Sequence, residues 1–337
     1  MRVVFGCFAF GLLAFTSQQA LAFDCAKATT DTEKTICGQA ALKAADDTMS
    51  AVYTSLANRV APATKDQLKI SQINFIAGRE NCGSGDGAVM CILDKTISRI
   101  RYLNGSVEAG ALTGPMPVLE PLLVQQAGNS KKGLIRLDYA AIRFSNPASK
   151  GEKAFNAAMV KTSAEANFEP QPDMAEYSPD SPWEQSSTTR ITLLNDRMIS
   201  AESEFYSFEG GAHGNGGVSS VSLDRMTGLP INVAAALGKD GVEGFISLCR
   251  EQIIAIKTER QAGYDPENPY DITKDDFYTD DTVRTVMNDV SAWRLEPGKA
   301  TVTFNNYVLG SYAEGRFECI FASELLSAMT GGTLSLR

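Results

Sequence analysis

Seven cysteines and a single histidine bound the chemistry open to this 337-residue chain. Cys7 lies in an apolar N-terminal stretch, which leaves Cys25, Cys37, Cys82, Cys91, Cys249 and Cys319. An even number of thiols in an exported chain points to three disulfides. Six cysteines allow 15 pairings, and proximity favours Cys25 with Cys37, Cys82 with Cys91, and Cys249 with Cys319. Zinc ligation is the competing reading, but the spacings match no zinc knuckle and His213 is the only imidazole. Nucleophilic catalysis would also have to recruit His213, yet there is no G-x-S-x-G elbow and the thiols are claimed by disulfides. The acidic run 265–281 carries seven carboxylates beside Lys274 and could supply the carboxylate pair of a glycosidase. It also reads as a solvated or calcium-touched loop, since the glycine and glutamate register of an EF-hand is missing. Binding rather than catalysis is the expectation, with no cofactor and no metal; an unrecognised carboxylate hydrolase is the remaining catalytic alternative.

Export follows from the first 22 residues. Met1 and Arg2 form a short positive segment, residues 3–15 are apolar apart from glycines, and Ala20-Leu21-Ala22 is a small-residue cleavage site. The apolar run is about 13 residues, short of the roughly 20 that span a bilayer as a helix. A signal peptide cleaved after Ala22 is expected, with a periplasmic or secreted chain and no membrane span. Phe23 stands where a lipid-anchored chain would carry cysteine. The formal net charge of −9 becomes about −10 once Arg2 leaves, which repels nucleic acid and attracts cationic partners. With 44% hydrophobic and 21% charged residues, the chain has the composition of folded cores.

Residues 23–104 read as a small helical domain. Thr30-x-x-Glu33 has the form of a capping box. Ile36, Ala40, Met49, Val52, Tyr53, Leu56 and Val60 recur at helical spacing; so do Leu68, Gln72, Phe75, Ile76 and Arg79, and then Leu93, Ile97, Ile100 and Leu103. Three helices stapled by two local disulfides are expected, because a core of this size is marginal alone. Glu33, Ile36, Cys37, Leu42, Asp46 and Tyr53, followed by Gln72, Arg79, Cys82, Cys91, Arg99 and Leu103, form a pattern that resembles the LprI-type lysozyme inhibitors. Phe75 stands where that family usually has tryptophan and Thr96 where it has tyrosine. Asp46 and Arg79 are expected to pair within the domain rather than to touch a partner.

Residues 105–132, with several glycines and prolines, read as a partly packed linker before an α+β domain over 133–337. Alternation predicts strands over 134–144, 190–196, 198–208, 217–224, 301–306 and 316–321, with helices over 150–167, 242–259 and 323–329. Five glycines among residues 210–217 predict a tight loop. Gly210-Gly211-Ala212-His213-Gly214-Asn215, then Thr227-Gly228, then Tyr307-x-x-Gly310-x-Tyr312-Ala313-x-Gly315 resemble the RsiV-type extracellular domain. That domain occurs in a lysozyme-sensing anti-sigma factor and beside the catalytic domain of some peptidoglycan deacetylases.

Both resemblances imply a lysozyme-associated binding protein. Animal-type lysozymes are basic, so an acidic chain would gain association rate by electrostatic steering. The residues singled out for partner contact are Gly211, His213, Asn215 and Tyr312. His213 either meets a partner carboxylate or simply fills its turn. The alternative is a non-catalytic envelope module that binds peptidoglycan fragments or acts as a sensor or adaptor; exposed cleft aromatics would favour it, and Trp183 and Trp293 are either such platforms or core.

Overall fold

Thr30 opens the first helix by reciprocal capping: its Oγ1 accepts the Glu33 amide at 3.1 Å, and the Glu33 carboxylate accepts the Thr30 amide at 2.9 Å. The computed structural model describes residues 24–60, 62–104, 119–130, 133–165, 183–262 and 270–336. The expected signal peptide, residues 105–118 and 131–132 of the expected linker, residues 166–167 of the expected helix over 150–167, and residues 265–269 of the acidic run lie outside them. Helix α1 (Asp31–Gly38) ends where Gln39 turns extended, and α2 (Ala40–Ala57), α3 (Pro62–Glu80) and α4 (Asp86–Leu103) follow. The expectation of three helices is therefore corrected to four. The break at Gln39 lets Ile36 of α1 fold back onto Leu42, Ala88 and Ile92, a contact that a continuous helix would not make.

The helical domain is cross-linked by Cys25–Cys37 and Cys82–Cys91, and the third bridge joins Cys249 to Cys319, as local pairing predicts. Inside it, Arg79 Nη1 donates to Asp46 Oδ1 at 2.7 Å with both residues buried, the intradomain pair the sequence suggests. Arg99, equally buried, donates to Ser71 Oγ at 2.8 Å and to Gln72 Oε1 at 3.0 Å. The two guanidiniums stand 5.2 and 5.5 Å from the Phe75 ring. Phe75 thus serves as a cation–π platform inside the domain.

Five strands form the larger sheet in the order β1 (Leu119–Ser130), β2 (Gly133–Phe144), β3 (Trp183–Leu194), β4 (Met198–Phe208) and β5 (Asn215–Asp224). All neighbours are antiparallel except β2 and β3, which are joined through α5 (Lys150–Glu165). Strand β1 corrects the linker expectation for 119–130: its register runs unbroken from Leu119 opposite Phe144 to Ser130 opposite Gly133. One face of the sheet packs Ala141, Ile191, Ile199 and Ala201 against Phe155 and Met159 of α5. The other face meets a three-stranded sheet of β6 (Trp293–Glu296), β7 (Lys299–Phe304) and β8 (Phe317–Ala322), backed by α6 (Val233–Ala262), α7 (Asp280–Asn288) and α8 (Ser323–Met329). The overall class is α+β, as expected. Trp293 belongs to this core, its indole N–H donating to Met287 O at 2.8 Å, so it is no surface platform.

Polar side chains bridge the two sheets. Glu202 of β4 accepts from Arg294 of β6 at 2.8 Å and from Arg190 of β3 at 2.5 Å, and Thr192 Oγ1 donates to Leu295 O at 2.8 Å. Burial pushes the Glu202 carboxyl upward, but the two arginines outweigh it and hold it below the ordinary value of 4.5. A depressed carboxyl contributes stability that is complete above its unfolded pKa and is lost as pH falls through the folded value. Glu202→Gln should therefore flatten the acid side of the stability–pH curve below about pH 4.5, measured by urea unfolding. In the helical domain Asp46→Ala strands a buried guanidinium and should cost about 3–5 kcal/mol, whereas Asp46→Leu with Arg79→Met should cost far less.

Candidate functional site: an aromatic loop beside an interdomain trough

The loop between β4 and β5 is glycine-rich because side chains from elsewhere press on its backbone. A Cβ on Gly214 would lie 2.3 Å from the Tyr206 hydroxyl oxygen, one on Gly216 would lie 2.9 Å from Phe205 O, and one on Gly217 would meet the Phe205 ring at 2.8 Å and Asn305 at 2.9 Å. Gly211 is different: it is exposed with open space around it, and its φ of +97° is what calls for glycine. Asn305 secures the far side of this strand, accepting from Val218 N at 2.9 Å and donating to Val218 O at 3.0 Å.

His213 projects from this loop and stacks on Tyr312, with ring centroids 3.7 Å apart and planes within 11°. Its Nδ1 lies 2.8 Å from Gly214 O, so that nitrogen carries the proton and donates; Nε2 then faces the Tyr307 hydroxyl at 3.4 Å as an acceptor. Tyr307 is exposed and sits in the left-handed region at φ +69°. Two of the residues singled out from sequence, His213 and Tyr312, thus come into direct contact. Asn215 is exposed at the first position of β5, opposite Ser207, and makes no contact with that pair that the structure records.

Tyr312 is fixed from behind. The Glu314 carboxylate accepts the Ser311 amide at 2.8 Å and lies 3.5 Å from Lys257 Nζ, while Arg260 Nη1 of α6 donates to Glu314 O at 2.5 Å. Gly310 leaves room for that carboxylate, since a Cβ there would fall 2.7 Å from it. Lys257 is itself buried and paired with Asp275, so the acidic segment serves in part as the counter-ion of a clamp on the Tyr312 loop.

Beside this loop the open end of the sheet forms a trough. Its floor alternates from one face of three strands: Ser186 and Thr188 on β3, Glu204 and Tyr206 on β4, and Gly216 on β5, with Ser186 opposite Tyr206 and Thr188 opposite Glu204. Tyr312, Asn306 and Arg316 close one side of a cavity of about 430 Å³. A second cavity of about 390 Å³ shares Thr188 and is bounded by Asp138 and Ala140 of β2 and by Phe75, Asp94, Lys95, Ser98, Arg99 and Tyr102 of the helical domain. Burial, with the nearby Glu184 and Tyr312, pushes the Tyr206 phenol upward and keeps it a proton donor. Sequence reasoning missed Tyr206, Ser186, Thr188 and Glu204. Their only sequence signal is alternation along two strands, and it becomes a site only once the register is known.

Comparison with known proteins fits this division. Residues 25–103 match the model of the lysozyme inhibitor LprI family, and residues 126–216 match that of the deacetylase PdaC. The second match begins inside β1, and both the N-terminal and C-terminal resemblances are shown at this level. No curated protein sequence is similar enough to count as a match. Among the solved structures that align are a DUF3298 family protein from Pseudomonas aeruginosa PAO1 at 16% identity and TM-score 0.42, covering 64% of this chain and 94% of that one, and a DUF3298 family member from Bacteroides fragilis at 15% and 0.44, covering 62% and 92%. The deacetylase name raises the question of a metal centre. Among the described residues no group of three His, Cys, Asp or Glu side chains could hold an ion, and both His213 nitrogens already face Gly214 and Tyr307. The described residues do not fit such a centre.

Gly214→Ala should force the Tyr206 ring from its place and destabilise the chain by about 1–3 kcal/mol, with loss of the His213–Tyr312 stack visible in the imidazole proton shifts. Gly211→Ala should cost about 1–2 kcal/mol through its φ alone and leave those shifts unchanged.

Proposed function

We propose that this is an exported, non-catalytic periplasmic protein that binds lysozyme and inhibits it. The observation that carries the reading is the match of residues 25–103 to the lysozyme inhibitor LprI family, on a domain held by two disulfides and a buried Asp46–Arg79 pair. The disulfides also suit an oxidising compartment outside the cytoplasm, and no helix among the described residues is long and apolar enough to cross a membrane. A formal net charge of −9 favours encounter with a basic enzyme.

For the contact itself we favour the exposed loop that carries Gly211, His213 and Asn215, backed by Tyr312. Ala212 and His213 stand in solvent and Tyr307 is 53% exposed, so the loop offers an aromatic-edged projection to a concave partner. Such a projection would inhibit by occupying the saccharide cleft of lysozyme. A histidine whose Nδ1 is committed to Gly214 O keeps Nε2 beside the Tyr307 hydroxyl, so the ring is held in one orientation at the exposed edge offered to the partner.

Calorimetric titration of the oxidised chain, residues 23–337, against an animal-type lysozyme at two salt concentrations tests this reading, with a cell-lysis assay alongside. Binding that weakens with salt and abolishes lysis is expected, and His213→Ala and Tyr312→Ala should each weaken it at least tenfold. Absence of binding at micromolar concentrations would remove the lysozyme reading.

A further inference from the structure

We propose that the trough between the helical domain and the Tyr312 loop is a binding site for an extended, uncharged saccharide chain, adjoining the loop assigned above to lysozyme, with Tyr312 as the wall between them. The two cavities of about 430 and 390 Å³ share Thr188 as a lining residue and lie along the same face of the sheet from β2 to β5. With strands about 4.8 Å apart, three spacings give a floor roughly 14 Å long, enough for more than one sugar ring.

The chemistry of the floor selects the ligand. The side chains of Ser186, Thr188, Tyr206, Asn306 and Tyr312 line the trough, and no hydrogen bond from any of them to a described residue is recorded. Four are hydroxyls, able both to donate and to accept, and the fifth is an amide. The Glu204 carboxylate adds an acceptor, and Arg316, 3.4 Å from it, adds a donor at the rim. Tyr206 is 40% exposed and so offers both a ring and a hydroxyl to the same ligand. A surface of closely spaced two-way hydrogen-bonding groups beside aromatic carbon matches a chain of hydroxyl-bearing rings, each with polar edges and an apolar face.

Other occupants fit less well. Nucleic acid would place phosphates against Glu204 and Asp138 on a chain of net charge −9. A peptide adding as a strand needs a free sheet edge, but the trough lies on a face, and the β5 edge at Val218 is already taken by Asn305. The helical domain on one side and the Tyr312 loop on the other leave a slot rather than a flat surface for a globular partner.

The test is calorimetric titration of the oxidised chain, residues 23–337, with N-acetylated chitotetraose and, separately, with a free peptidoglycan stem peptide. Lysozyme is left out, so this outcome is independent of the inhibitor reading: either can fail while the other stands. Binding of the saccharide with a dissociation constant of about 1 mM or tighter is expected. Thr188→Lys, which adds bulk at the residue both cavities share, and Tyr206→Ala should each weaken it at least tenfold, and Thr188→Val should weaken it measurably with an unchanged thermal midpoint. Met226→Ser, at an exposed turn outside the trough, should bind as the parent does. No heat at millimolar saccharide, binding of the stem peptide instead, or Thr188→Lys and Tyr206→Ala chains that are folded by circular dichroism yet bind unchanged would each overturn the proposal.

Discussion

A carboxylate removed from water must be met by cations, and Glu202 is where this constraint organises the C-terminal domain. Held between Arg190 on its own sheet and Arg294 on the other, it fixes the second sheet against one end of the first. Arg294 continues the chain of charges to Glu296 and Glu318, and Arg316 lies between Glu318 and Glu204. The alternation of signs runs from the buried junction out to the rim of the trough. Apolar packing between the sheets could slide; a buried carboxylate with two fixed donors cannot without leaving one unpaired. The same array that anchors the smaller sheet therefore also determines how much of the larger sheet it leaves uncovered.

The aromatic loop depends on a second set of such ties. Lys257 and Arg260, on successive turns of α6, hold the side chain and the carbonyl of Glu314, and Glu314 in turn caps the turn that carries Tyr312. Facing it, Tyr206 and Phe205 lie so close to Gly214, Gly216 and Gly217 that any side chain there would collide. The stack of His213 on Tyr312 is thus assembled from two segments about a hundred residues apart, each rigid for its own reason. Such rigidity lowers the ordering cost of engaging a partner.

How much was legible in the sequence depended on the range of the interaction responsible. Thr30 with Glu33, the local disulfides and the strand alternation of β2, β4 and β8 depend on neighbours a few residues away and could be read directly. The Asp46–Arg79 pair was also legible, because two ionic residues on the helical faces of a small core have few other partners. The break at Gln39 was not: the alanine-rich segment after it favours helix on either side, and only the docking of Ile36 onto Ile92 decides the turn. Strand β1 was hidden by Pro121 and Gly128, which read as linker but lie on an edge strand whose twelve-residue register with β2 outweighs their propensities. The glycines of 210–217 were read as a turn, correct for Gly211, whereas the aromatic contacts that exclude side chains at Gly214 and Gly217 belong to tertiary structure alone.

The same distinction separates the two parts of the site. His213 and Tyr312 could be picked out because a lone imidazole and a glycine-flanked tyrosine are unusual residues in unusual settings. Ser186, Thr188 and Tyr206 are ordinary strand residues, and what sets them apart is position: they fall on the part of the sheet face that the smaller sheet leaves uncovered and that α3 and α4 border without filling. A surface left open between two domains retains polar groups that folding does not satisfy, and water or a ligand must satisfy them. In this chain those groups are hydroxyls gathered along one slot, so the docking of the helical domain does more than add a second module: it supplies the wall that turns an exposed sheet face into a cleft.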